Sequence, residues 1–104
     1  MTPPDMSKKH VIAIEYCAKC GWLLRAAYIA QEILTTFQDK IASVNLCPAE
    51  IAGTYKISVD DELIFDRKRE GRFPDIKELK QTIRDRIAPG MNLGHSDKKT
   101  TGDE

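Results

Sequence analysis

Apolar side chains fall along this 104-residue chain in short blocks whose spacing changes from one block to the next. Residues 10–14 (HVIAI) form a brief run rich in β-branched residues, the pattern of a buried strand. The run is expected to stop where the cysteines begin. From Trp22 the apolar positions are Leu23, Ala26 or Ala27, Ala30, Ile33, Leu34 and Phe37, with Arg25, Gln31, Glu32 and Gln38 opposite them. That is helical spacing, and the helix is expected to end near Asp39-Lys40. Residues 41–46 (IASVNL) alternate loosely and read as a second strand, closed by Cys47-Pro48. Residues 54–59 alternate with period two, turn at Asp60-Asp61-Glu62 and resume at 63–65, a hairpin signal without the favoured Asn-Gly or Asp-Gly pair. Pro74-Asp75 opens a helix with Ile76, Leu79, Ile83 and Ile87 on one face, and Pro89-Gly90 stops it.

The predicted order is β-α-β-β-β-α. Two strands joined by a helix make a right-handed crossover and are therefore parallel. The hairpin is antiparallel, and the last helix is expected to pack back on the sheet. A mixed four-stranded sheet with two helices is an α/β (α+β) architecture of the minimal thioredoxin-like kind. In that fold the redox centre lies between the first strand and the first helix, where this chain has Cys17 and Cys20. The domain is expected over residues 10–93. Residues 1–9, polar with a Pro-Pro step, read as a flexible arm, and residues 94–104 as a polar, disordered tail without an apolar face.

Composition narrows the function classes. The length suits one core, and 41% hydrophobic with 31% charged residues is ordinary for a soluble globular protein. Sixteen basic residues balance sixteen acidic ones, so no net field gathers nucleic acid or an anionic membrane. No apolar run is long enough to span a bilayer, and the first ten residues lack a signal-peptide pattern. A cytoplasmic location is the expectation, and there structural disulfides are uncommon. Three cysteines suit a reactive pair plus one better than a disulfide scaffold.

The pair lies in EYCAKCGWLLRA, residues 15–26. A helix start favours an anion through its unpaired N–H groups and macrodipole, by roughly 0.3–1 kcal/mol. Lys19 between the cysteines adds a Coulomb contribution on the order of 1 kcal/mol at contact distance in water. Together these are enough to lower a thiol pKa by about one unit, so thiolate attack and closure of a disulfide need no cofactor. Two blander readings stand beside this one. Cys-x-x-Cys also opens zinc sites, which want four ligands; only Cys47, His10 and His95 remain as candidates, and none forms a second close pair. Buried cysteines also pack as small hydrophobes, although a lysine at an element boundary is not a core pattern. No bound metal is expected.

YCAKCGWLLRAAYIAQEILTTF, VNLCPAEIAGTYKI, IFDRKREGRFPDIKELKQ and RDRIAPGMNLGHSD together resemble the selenoprotein W-like proteins, the Rdx (SelT/SelW/SelH) family, in its cysteine-containing bacterial branch. The resemblance runs from His10 to Asp97. It implies a thioredoxin-like, SelW/Rdx-type domain and a thiol-based redox role, part of cell redox homeostasis, with glutathione or client protein thiols and disulfides as partners. Selenium-containing members carry selenium at the position of Cys20. Thioredoxin logic instead makes the first cysteine the attacker, and Cys17 is favoured here because residues entering a first turn are usually the more exposed. Pro48 lies several residues before the Tyr55 strand and is not assigned the role of the proline that faces the disulfide in thioredoxins.

Further candidates are weaker. Trp22 either shapes a docking surface over the disulfide or packs in the core. Cys47 either takes part in mixed disulfides or is inert packing. Arg67-Lys68-Arg69 with Arg72 is a solvated loop or a site for an anion such as a glutathione carboxylate. Phe73-Pro74 is expected to close a loop and start the last helix, and His10 is read as structural. The expected function is thiol–disulfide exchange at Cys17 and Cys20, modulated by Lys19 and Trp22. The alternative is a redox-responsive protein-binding module without turnover. Oligomeric state is left open.

Overall fold

The structure, a computed structural model, describes residues 9–94. The expected arm and tail lie outside the described residues, apart from Lys9 and Gly94. By its contacts the chain divides after Phe73 into a first unit that holds the whole sheet and a second that begins at Pro74.

In the first unit, β1 (His10–Cys17) leads through α1 (Leu23–Phe37) and a 3-10 turn (Gln38–Lys40) to β2 (Ile41–Ala49). β3 (Tyr55–Val59) and β4 (Glu62–Asp66) follow, and then the four-residue α2 (Arg67–Glu70). The sheet order is β2-β1-β3-β4, with β1 parallel to β2 and antiparallel to β3, and β3 antiparallel to β4. This is the mixed four-stranded, thioredoxin-like arrangement expected from the alternation of the strands. The second unit contains α3 (Ile76–Ile87).

Strand periodicity decides which face is buried. Ile12, Ile14 and Tyr16 of β1 stand opposite Val59, Ile57 and Tyr55 of β3, and all six are buried. Glu15 and Val11, one residue out of phase, are exposed. Ala26, Ile29, Ala30, Ile33 and Phe37 of α1 are buried in turn, and α1 packs on β1 and β2. The buried face is the one read in the sequence at Ala26, Ala30, Ile33 and Phe37, shifted at its edge: Leu23 and Leu34 are exposed and Ile29 is in the core.

Three further departures have local causes. β1 runs three residues beyond Ile14, through Cys17, because Tyr16 pairs with Tyr55 and Cys17 with Ala49. β2 passes through Cys47-Pro48 for the same reason, with Pro48 opposite Tyr16. The basic run read as a solvated loop is the short α2, making three helices rather than two. Asp66 caps it, its Oδ1 accepting from the Lys68 N–H at 3.1 Å, and Gly71 at φ 75° closes it. The β3–β4 turn is Asp60-Asp61, both with positive φ, as a two-residue hairpin requires. Asp60 fits that conformation because its carboxylate accepts from the Val11 N–H at 3.0 Å and pairs with His10 Nδ1 at 2.6 Å. His10 thus has a structural part.

Candidate functional site

Cys17 and Cys20 are joined by a disulfide, their Cα atoms 5.3 Å apart, within the ordinary range. Between them the chain makes a turn closed by the Gly21 N–H donating to the Ala18 carbonyl at 3.0 Å, and Trp22 N–H reaches back to the Cys17 carbonyl at 3.4 Å. Gly21 has φ +77°, the left-handed region where other residues are strained, and that bend sends the chain into α1.

The two sulfurs differ in environment. Cys17 is the last residue of β1 and only 2% exposed, whereas Cys20 is exposed. The Cys20 backbone N–H donates to Cys17 Sγ at 3.2 Å. The expectation that Cys17 is the more exposed of the two cysteines is therefore corrected. It assumed that the strand ended before the cysteines, but β1 continues and carries Cys17 into the sheet. The accessible sulfur is Cys20.

α1 begins next to Cys20 with no side-chain cap. Its N-cap residue is Trp22, and its first helical bond runs from Ala26 N–H to the Trp22 carbonyl at 3.0 Å. The N–H groups of Leu23, Leu24 and Arg25 thus have no intrahelical acceptor, and the first turn contains no acid. That end of α1 presents positive potential to a neighbouring anion. Lys19 is exposed in the connecting turn, so water and salt screen its charge.

Trp22 is half-buried in a cluster that spacing along the chain did not reveal. It lies edge-on to Phe73 (centroids 4.9 Å) and Tyr55 (6.1 Å), and Tyr55 is edge-on to Phe73 at 5.2 Å. The three rings come from the start of α1, the start of β3 and the segment after α2. Two guanidiniums stack on them: Arg25 Cζ lies 4.0 Å from the Phe73 centroid, and Arg67 Cζ lies 4.8 Å from Phe73 and 4.9 Å from Trp22. Burial pushes the Tyr55 phenol up to about 12, with the Arg25 charge pulling against it. Of the basic run, only Arg67 joins this cluster; Arg72 stacks more loosely on Phe65 at 5.8 Å, while Lys68 and Arg69 are exposed.

Cys47 is a free thiol opposite Glu15, two residues back along β2 from the partner of Cys17. Its Sγ makes only a long contact, 3.8 Å, with the Asn45 carbonyl. Among the described residues, no group of three or more His, Cys, Asp or Glu side chains is placed to hold a metal ion. No helix among them is long and apolar enough to cross a membrane. A groove of about 300 Å³ is lined by Glu15, Ala49, Ile51, Thr54 and Lys56 among others, and neither cysteine of the pair lines it.

The model of the Rdx family matches residues 11–85, which span the sheet, the disulfide and most of α3. The chain belongs to the Rdx family. Among solved structures it is similar to a selenoprotein W-related protein from Vibrio cholerae, at 44% identity and a TM-score of 0.74 over 77% of this chain and 99% of that one. A protein from Bordetella parapertussis is similar at 42% identity, again with a TM-score of 0.74, over 77% of this chain and all of that one. A curated mouse relative, migration and invasion enhancer 1, is 28% identical over 75 residues. This Rdx-family chain matches 61% of that relative's length. Family membership and a disulfide-joined Cys-x-x-Cys fit a redox role.

Proposed function

We propose that this Rdx-family protein carries out thiol–disulfide exchange with glutathione or with client protein thiols and disulfides. The supporting observation is a disulfide with one exposed and one buried sulfur beside an uncapped helix start. In the oxidised protein an incoming thiolate attacks Cys20 Sγ, the S–S bond breaks and Cys17 leaves as thiolate. The Cys20 N–H already donates to Cys17 Sγ and stabilises that charge. A second thiolate then releases Cys20 as thiolate and departs as a disulfide. In the reducing direction, Cys20 thiolate attacks the partner disulfide and expels one partner thiolate. Cys17 thiolate then attacks Cys20 Sγ, re-forming the internal disulfide and expelling the other.

This regiochemistry makes Cys17→Ser the trapping variant, because it removes the resolving thiol and leaves the attacking one. Incubated with glutathione disulfide, Cys17→Ser is expected to accumulate one glutathionyl group on Cys20, read by peptide mass spectrometry. Cys20→Ser is expected to accumulate little. Absence of any mixed disulfide in both variants overturns the proposal, and accumulation only in Cys20→Ser reverses the roles of the cysteines.

A binding module without turnover has one observation in its favour. Leu24 at the start of α1 is 80% exposed and Ile51 on the β2–β3 connection is 67% exposed, two large apolar side chains offered to a partner. Repeated reduction of a disulfide by excess thiol separates the readings. Many turnovers support exchange, and a single stoichiometric event supports the module.

A further inference from the structure

Among the described residues the two guanidiniums on the aromatic cluster form no salt bridge, although each is a strong donor. The carboxylate next to Arg67 in sequence, Asp66, is engaged at the cap of α2. Arg67 Nε is buried and has no hydrogen-bond partner. A buried donor without a partner is unfavourable, and native structures rarely leave one without a reason. Stacking occupies the planar faces of Arg25 and Arg67, but it leaves their N–H edges in the guanidinium plane, the edge that binds a carboxylate in pairs. Both charges share one ring, Phe73, so they repel each other until an anion joins them. Trp22, on which Arg67 also stacks, is two residues from Cys20, so their Cα atoms are at most about 7 Å apart.

We infer that Arg25 and Arg67, held on Phe73 and Trp22, form a carboxylate-binding site that selects disulfide partners with a carboxylate close to the reacting sulfur. The inference rests on the exchange reading above and adds the group by which a partner is recognised. A small turn of the Arg67 side chain that opens Nε lets a carboxylate accept from Nε and a terminal N–H together and relieves the orphaned donor. Arg25, whose guanidinium stacks at 4.0 Å, supplies the second positive charge. The carboxylate can belong to a small thiol peptide or to an acidic residue beside a cysteine in a protein, and the chemistry is the same.

Binding is tested apart from exchange with S-methylglutathione, a thioether that cannot react, and with its diester, in which the carboxylates are blocked. The acid is expected to shift the Nε–H resonances of Arg25 and Arg67 in NMR titration and the diester to leave them in place. No shift, or the same shift with the diester, overturns the inference whether or not exchange occurs. In the exchange assay, wild type is expected to prefer glutathione disulfide over its ester by about tenfold, the size of one charge-assisted hydrogen bond, and less at high salt. In Arg25→Gln combined with Arg67→Gln that ratio is expected to fall to near one, while Arg67→Lys keeps part of it. A ratio preserved in the double variant, with both rates merely lowered, marks the arginines as structural and overturns the inference. Disulfides of cysteine peptides bearing Glu or Gln beside the cysteine tell the sources apart. A preference for Glu assigns the site to protein partners, and a preference confined to glutathione assigns it to the small thiol.

Discussion

The starts of α1 and α3 are built in opposite ways. α3 opens on Asp75, whose carboxylate accepts from the Glu78 N–H at 3.0 Å, with Glu78 in the first turn and Arg84 and Arg86 in the last. Cap and charges all complement the helix dipole. α1 opens on Trp22 with no side-chain cap, no acid in its first turn and no base in its last. Several tenths of a kcal/mol or more of available helix stabilisation is thus left unused at one start and taken at the other. The uncapped end lies three residues from the exposed Cys20, where the proposed exchange would place a thiolate in the position of the missing acid.

Changes at Cys20 are expected to have the largest effect on this contrast. Cys20→Ser removes the accessible nucleophile, and exchange is expected to fall by at least about a thousandfold in a stopped-flow thiol assay. Activity retained near wild type would separate the uncapped helix start from the chemistry altogether.

Alkali comes next. With the Tyr55 phenol at about 12 when folded and near 10 when unfolded, the unfolded chain loses this proton first. Stability therefore falls as pH rises from 10 toward 12, by up to roughly 2–3 kcal/mol. Below pH 10 the group contributes no slope. Urea titrations across that window should show the loss in wild type and not in Tyr55→Phe. Because Tyr55 packs on Trp22, the start of α1 is expected to loosen before α3 does.

Gly21→Ala forces a side chain into the left-handed region at φ +77°, with nothing nearby for the new methyl to strike. The expected loss is roughly 1–2 kcal/mol, from backbone conformation alone. Asp75→Ala is expected to remove about 1 kcal/mol by loss of its cap while exchange rates hold, since that helix start serves stability only. The smallest effect has opposite signs in two assays. Leu24→Glu places an acid in the first turn of α1 and is expected to raise stability by about 0.3–1 kcal/mol. The same charge opposes the Cys20 thiolate and is expected to slow its alkylation at neutral pH about threefold. A gain in both assays would mean that the helix start does not stabilise the thiolate.

The order of strands and helices was legible because each block carries its own period: two in TYKISV, and three to four in the helices. The position of the pair between strand and helix was legible for the same reason. The burial of Cys17 was not, because the partners that prolong β1 are Ala49 and Tyr55, more than thirty residues away in sequence. α2 had a signal that went unread: Asp66 before RKRE and Gly71 after it are a cap and a stop. The cluster of Trp22, Tyr55, Phe73, Arg25 and Arg67 had no local signal at all. Arg25 read as the outer side of a helix, Tyr55 as a strand residue and Arg67 as part of a charge run; only the sheet topology brings them together.

The spacing of the two cysteines has a further consequence, in chain entropy. A link between residues three apart closes a very small ring, worth only about 2 kcal/mol against the unfolded chain, whereas a hundred-residue loop is worth about 4.7. Opening the ring therefore leaves most of the folding free energy in place. The six paired residues of β1 and β3 and the buried face of α1 are held by packing and by the ladder, and none of them depends on the S–S bond. Reduction is therefore expected to alter the turn of residues 17–22 and to leave the scaffold folded, so a redox-sensitive partner would have to read that turn.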